Sequence, residues 1–252
     1  MRARARRVTG SAAWSGVALM AGLLAQGAVL AAQLQISSTR IELSPERPIA
    51  SLEVRNGSDE TIGVQADVVA WSQDATGDVY TPTRDVLANP AIFRLAPDSA
   101  QVLRFGLQPG DAGAARSYRL FVQELPRENS PPGVVQTLLR FSVPIFVPVE
   151  GNAPDLRWQL VSDGKRGADL MLGNEGTRHI QVTRLRLRDD KGQTLADQRL
   201  SAYVLPGSAQ RLPVSLPALP VGQAIRIEVE SDYDVGVAPV SVDVQHAGRA
   251  SR

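Results

Sequence analysis

Apolar residues recur at every second position through most of this chain. In IASLEVRN, Ala50, Leu52 and Val54 alternate with Ser51, Glu53 and Arg55. The same period carries Ile62, Val64, Ala66 and Val68 in IGVQADV, Leu103, Phe105 and Leu107 in VLRFGL, and Tyr118, Leu120 and Val122 in SYRLFVQEL. Period two puts one set of side chains on each face of a strand, so these segments read as half-buried antiparallel strands. No long helical period competes with them, and the expected class is all-β. Pro90, Pro97, Pro109 and Pro126 punctuate the series. Asn56-Gly57 reads as a type I′ hairpin turn. With Ser58 it also spells a glycosylation sequon.

A second series follows PVEGNAPDL, where Gly151, Asn152 and Pro154 interrupt the pattern. In HIQVTRLRL the apolar phase runs Ile180, Val182 and then Leu185, Leu187, a slip that predicts a bulge near Thr183. Asp190-Lys191-Gly192 reads as a turn. Ile225, Ile227 and Val229, then Val240, Val242 and Val244, alternate again. A chain of 252 residues accommodates two ordinary domains. The expectation is two immunoglobulin-like sandwiches in tandem, over 33–150 and 151–252, each of about 100 residues. No obvious sequence repeat relates them.

The N-terminus has a different composition. MRARARR holds four arginines and no acid, and the apolar stretch Trp14–Ala32 follows, ending in small residues. A basic region, an apolar region and a small-residue exit predict a secretory signal over 1–32, cleaved after Ala31 or Ala32. Its removal leaves 23 basic against 26 acidic residues, so no basic footprint for nucleic acid remains. The chain has no cysteine, which excludes thiol catalysis and zinc–cysteine sites.

Catalytic motifs are equally scarce. His179 and His246 lie far apart and neither has metal-ligand spacing. No G-x-S-x-G, phosphate loop or dinucleotide fingerprint occurs. Asp232 and Asp234 flank Tyr233, and Asp189 neighbours Asp190; both acidic pairs read as solvated loops. The expectation is a protein that is not an enzyme and takes no cofactor and no metal.

The most apolar stretch after the N-terminus is VVQTLLRFSVPIFVPVE, residues 134–150, and it carries an arginine, Arg140, inside it. A lone charge in a buried strand is costly. STRIELSP, LEVRNGSDETIGVQADVVAW, NPAIFRLAPDSAQVLRF, SYRLFVQELP, VVQTLLRF and LMLGNEGTRHIQVTRLRL, in that order, resemble segments of the PapD-like periplasmic chaperones of chaperone–usher pilus assembly. The short polar RENSPPGVV before the apolar stretch is more like the older, divergent branch of that family.

The resemblance implies binding without a reaction. Such a chaperone lends a strand to a pilin subunit whose own sandwich lacks one, and passes the subunit to an outer-membrane usher. It implies that residues 133–140 are the lent strand, with Val135, Thr137 and Leu139 entering the subunit groove. The opposite phase, Val134 and Leu138, stays open, because a slip of one residue exchanges the faces. It further implies that Arg40 and Arg140 hold the subunit's C-terminal carboxylate, Arg140 standing where the family has lysine. The implied location is the periplasm. A two-domain surface adhesion module with a retained N-terminal anchor is the alternative.

Overall fold

The structure, a computed structural model, describes residues 34–110, 114–127, 133, 135–149, 151, 153–162, 167–233 and 240–246, and within 240–246 only the Val244 side chain. The expected signal segment, Val134, Asp234 and the His246 side chain lie outside the described residues. The first strands are β1 (Leu34–Ile36), β2 (Ile41–Glu42), β3 (Ile49–Asn56), β4 (Ile62–Asp74), β5 (Gly77–Pro82), β6 (Val86–Asn89), β7 (Ile92–Leu95), β8 (Ala100–Leu107), β9 (Arg116–Glu124) and β10 (Arg140–Val147). One sheet runs β1-β3-β8-β6; the facing sheet runs β2-β10-β9-β4-β5, with β7 added to β4. The alternating residues meet between them: Leu52, Val64, Phe105, Leu120 and Ile145 are buried in one core. Burying a side chain of this size contributes about 1.5–3 kcal/mol.

β11 (Leu156–Ser162), β12 (Ala168–Asn174), β13 (Ile180–Arg188), β14 (Thr194–Val204), β15 (Ser208–Arg211), β16 (Ala224–Ser231) and β17 (Val240–His246) follow. Their order is β14-β13-β16-β17-β11-β12-β15. β17 is antiparallel to β16 and parallel to β11, so it carries the ribbon from one layer to the other. Leu160, Leu172, Val182, Leu187 and Ile227 fill a second, separate core. The pairing of β13 with both neighbours slips between Val182 and Arg184, the bulge that the phase change at Thr183 predicts. The molecule is all-β, with two immunoglobulin-like domains.

Two features of the first domain position the site. β1 pairs with β3 in one sheet, whereas β2 pairs with β10 in the other, so the first strand changes sheets between Ser37 and Arg40. Ser38 Oγ donates to the Arg40 carbonyl at 2.6 Å and fixes that crossing. The β2–β10 pairing is parallel and only two residues long, Ile41 with Ile145 and Glu42 with Phe146.

The expected Asn56-Gly57 hairpin turn is not formed. β3 and β4 lie in opposite sheets, so the connection arches over the core rather than joining paired strands. Gly57 is absent from the residues with positive φ, which a type I′ turn requires. Asn56 instead is fully buried and plugs the arch. Its Nδ2 donates to the carbonyls of Glu60, Leu95 and Ala96, and its Oδ1 accepts from Ser58 N and Oγ. That burial leaves no room for a sugar. Asn174 does the same work in the second domain, with Nδ2 to the carbonyls of Arg178 and Val204 and Oδ1 accepting from Asp155 N and Gly176 N. In each domain an isoleucine, Ile62 or Ile180, starts the next strand six residues on.

Asn56→Ala strands several buried carbonyls and amides and is expected to cost about 3 kcal/mol of unfolding free energy. Asn174→Ala should cost a similar amount. Urea unfolding of each purified variant measures it, and a change below about 0.5 kcal/mol would contradict the plug.

Candidate functional site

Strands β10, β9, β4 and β5 turn one face to the core and the other toward the second domain. The second face carries Arg140, Ser142, Pro144 and Phe146 of β10, Arg119 and Phe121 of β9, Trp71 of β4 and Tyr80 of β5. Arg40, one residue before Ile41, stands at the level of Pro144. Part of this face is covered. Trp71 and Phe146 are buried against Tyr203 and Leu205 of the second domain. The Trp71 and Tyr203 rings meet edge to face at 5.5 Å, and Phe146 lies 5.9 Å from Trp71. The His179 ring stacks on Phe146 at 3.4 Å. Gln73 locks the same seam: its Oε1 accepts from Leu205 N and Ser208 Oγ, and its Nε2 donates to the Tyr203 carbonyl.

Arg40 reaches across this seam. Its guanidinium pairs with Asp232 through NH1, with Glu42 at 3.0 Å through NH2, and NH2 also lies 2.8 Å from His179 Nε2. Its carbon is 5.1 Å from the Phe146 ring. Asp232 is therefore not the solvated loop acid that its neighbourhood in the sequence implies. Its side chain is only 15% exposed, and its Oδ1 accepts from Gln181 N at 2.6 Å. Asp189 does sit in a turn, where its carboxylate accepts from Lys191 N and Gln193 N.

Arg140 lies on the same face but in a different setting. The apolar stretch is not one strand: β10 begins only at Arg140, and 135–139 belong to no strand. Arg140 is exposed, and its guanidinium sits 3.8 Å over the Phe121 ring, whose other neighbour is Tyr80 at 5.3 Å. Among the described residues no carboxylate pairs with it. The apparent anomaly of a charge in an apolar strand is thus resolved by orientation: Phe141 and Val143 face the core and Arg140 faces out. Arg40 and Arg140 stand about 13 Å apart along the strand direction, four residues at about 3.3 Å each.

The expected groove residues precede β10 and differ in exposure. Leu139 packs against the first core, Thr137 is exposed, and Val135 is 92% exposed. Leu138, of the other phase, is 42% exposed. The segment is tethered where it joins β10, by Glu124 N to the Leu139 carbonyl at 2.9 Å and Leu139 N to Glu124 Oε2 at 3.1 Å.

Arg119 is the cation that reading the sequence misses. It pairs with Pro144, which puts it on the same cross-strand row as Arg40, about 10 Å away at two strand spacings. It is 8% exposed, lies 3.6 Å over Trp71, and has Asp78 only at 4.0 Å. Burial pulls its pKa below the ordinary value. The signal was an arginine between Tyr118 and Leu120 in a strand whose outer face also bears Phe121. No group of three or more His, Asp or Glu among the described residues is placed to hold a metal ion.

Residues 33–150 match the model of the pili and flagellar-assembly chaperone family, PapD N-terminal domain. The fold is similar to a chain of the CsuC–CsuE chaperone–tip adhesion subunit pre-assembly complex from archaic chaperone–usher Csu pili of Acinetobacter baumannii. That match has 18% identity and a TM-score of 0.62, covering 86% of this chain and 100% of that one. It is similar also to a chain of the Salmonella enterica SafA pilin–SafB chaperone complex, at 17% identity and a TM-score of 0.57, covering 85% and 97%. The E. coli chaperone DraB matches at 19% identity and 0.55, covering 85% and 97%. No curated protein sequence matches the chain.

The seam makes stability depend on pH in two windows. Burial lowers the His179 pKa below 6.5 and Arg40 adds to this, against the upward pull of Asp232, so the neutral ring accepts from Arg40. A depressed pKa contributes stability that is complete above 6.5 and is lost as pH falls through the folded value. For Asp232, burial favours the neutral acid, but the neighbouring His179, the hydrogen bond from Gln181 N and Arg40 outweigh it and hold the pKa at about 2, from 3.8. Its contribution is complete above 3.8 and is lost on the way down to 2. Urea unfolding across pH should therefore show His179→Gln flattening the decline below 6.5 and Asp232→Asn flattening the one below 3.8. Variants that track the wild type in both windows would contradict these assignments.

Proposed function

We propose that this chain, whose first domain belongs to the PapD N-terminal domain family of pilus-assembly chaperones, is a periplasmic chaperone that holds pilin subunits by lending them a strand. The observation that carries this reading is the segment before β10. It projects Val135 into solvent at 92% exposure, the most exposed of the large apolar side chains among the described residues. An apolar side chain presented in line with a core strand, yet outside its own core, is suited to completing the core of another sandwich.

In this reading Val135, Thr137 and Leu139 enter the subunit groove, and backbone groups of 133–140 pair with its open edge. Arg40 and Arg140 receive the subunit's C-terminal carboxylate, Arg140 from its perch on Phe121 and Arg40 from the domain seam. Arginine grips a carboxylate through two parallel hydrogen bonds, so its presence in place of lysine preserves the role. The subunit is then passed to an outer-membrane usher. Residues 1–32 direct export and are removed, and 33–150 and 151–252 are the two functional domains. No step needs catalysis, cofactor or nucleic acid.

Co-expression of tagged chaperone with candidate pilins tests the reading. The wild type should recover soluble pilin, and Arg40→Ala with Arg140→Ala should lose at least nine-tenths of it, on the order expected when a charge-assisted anchor worth about 1.5–3 kcal/mol is removed. Undiminished recovery would sink the anchor. Val135→Asp should likewise cut recovery, while leaving the chaperone's own stability within about 0.5 kcal/mol, as for an exposed position. A loss of chaperone stability instead would return Val135 to its own core.

A further inference from the structure

The anchor proposed above is already occupied in the free chain, and the occupant is a carboxylate. We infer that Asp232 is an internal stand-in for the client's terminal carboxylate: a latch that closes the Arg40 site until a subunit displaces it. This rests on Arg40 being the anchor.

Asp232 comes from the second domain, 192 positions along the chain from Arg40. Its Oδ1 is fixed by Gln181 N, so its Oδ2 is presented to Arg40 by a backbone amide, with little freedom to retreat. The low pKa keeps it charged. An arginine with three-quarters of its side chain covered is costly without such a partner. The latch therefore keeps the anchor folded while no client is bound.

The grip is also incomplete. Asp232 engages Arg40 through NH1, Glu42 and His179 share NH2, and Nε is buried with no hydrogen-bond partner. No carboxylate holds the paired fork that arginine offers. An incoming terminal carboxylate that takes the NH1–NH2 fork replaces the one-nitrogen contact of Asp232 with a two-nitrogen one. Since Arg40 and Asp232 belong to different domains, that exchange also releases one tie across the seam. A subunit without a free C-terminal carboxylate gains nothing from the exchange, so the latch discriminates by chain end. A closed latch lowers apparent affinity by the open fraction, so an open fraction of about one-tenth means about a tenfold penalty.

The test uses the full chain after export and, as probe, the pilin that co-purifies with it. Differently tagged wild type and Asp232→Asn compete for a limiting amount of that pilin. Asparagine keeps the acceptor for Gln181 N and removes the charge. The latch predicts about a tenfold larger share for Asp232→Asn, and no such advantage once both chains also carry Arg40→Ala. An equal or smaller share overturns the latch. If Arg40→Ala alone leaves capture unchanged, the anchor reading has failed, and the latch with it. A measurement that needs no variant is the side-chain ¹⁵N spectrum of arginine in the wild type. Pilin binding should shift the Arg40 guanidinium signals, and an Arg40 signal unchanged by pilin overturns the proposal.

Discussion

Everything in this structure leans on β10 being buried on both faces. Val143, Ile145 and Val147 fill the first core while Pro144 and Phe146, between them, are buried on the other side. A strand covered on both faces loses the polar alternation of the others, and SVPIFV is the run that results. Phe146 is where the second domain lands, under His179 and beside Trp71 and Tyr203. Aromatic pairs of this kind contribute about 0.5–1.5 kcal/mol each beyond their buried area. The angle between domains is therefore set by the same strand whose leading end is offered outward.

Electrostatics then has to be reconciled with that packing. Three arginines share one sheet face, and each meets different partners. Arg40 has acids and a neutral imidazole, Arg119 has an indole face, and Arg140 has a phenyl face and water. Aromatic faces stabilise a cation without neutralising it. Arg140 thus has no paired acid among the described residues, whereas Arg40 spends its charge on the second domain. The face is positive but unevenly available.

The fold was legible where one side of a strand faces water. Period two gave the core positions of β3, β8, β9 and β13 directly, and the bulge at Thr183 with them. The arch at Asn56 was not legible, because Asn-Gly is as well suited to a tight hairpin as an asparagine is to plugging a corner. Only the partners, four and forty residues away, distinguish them. The site divided in the same manner. Arg40 and Arg140 stood out through family resemblance and a misplaced charge. Asp232 did not, since an acid beside a tyrosine in a loop looks solvated until a domain from elsewhere in the chain closes over it. Arg119 and Trp71 were hidden by the assumption that a strand has a wet side.

The shortness of β2 has a mechanical consequence. It claims the outer edge of β10 only at Ile145 and Phe146, so from Arg140 to Val143 that edge has no paired strand among the described residues. A strand laid along the open edge can advance toward β2 but not past it, because two backbones cannot occupy one side of the same ladder. β2 is a doorstop, and the residue on its leading corner is Arg40. The open part of that edge therefore ends beside a guanidinium, and its length is set by where β2 begins.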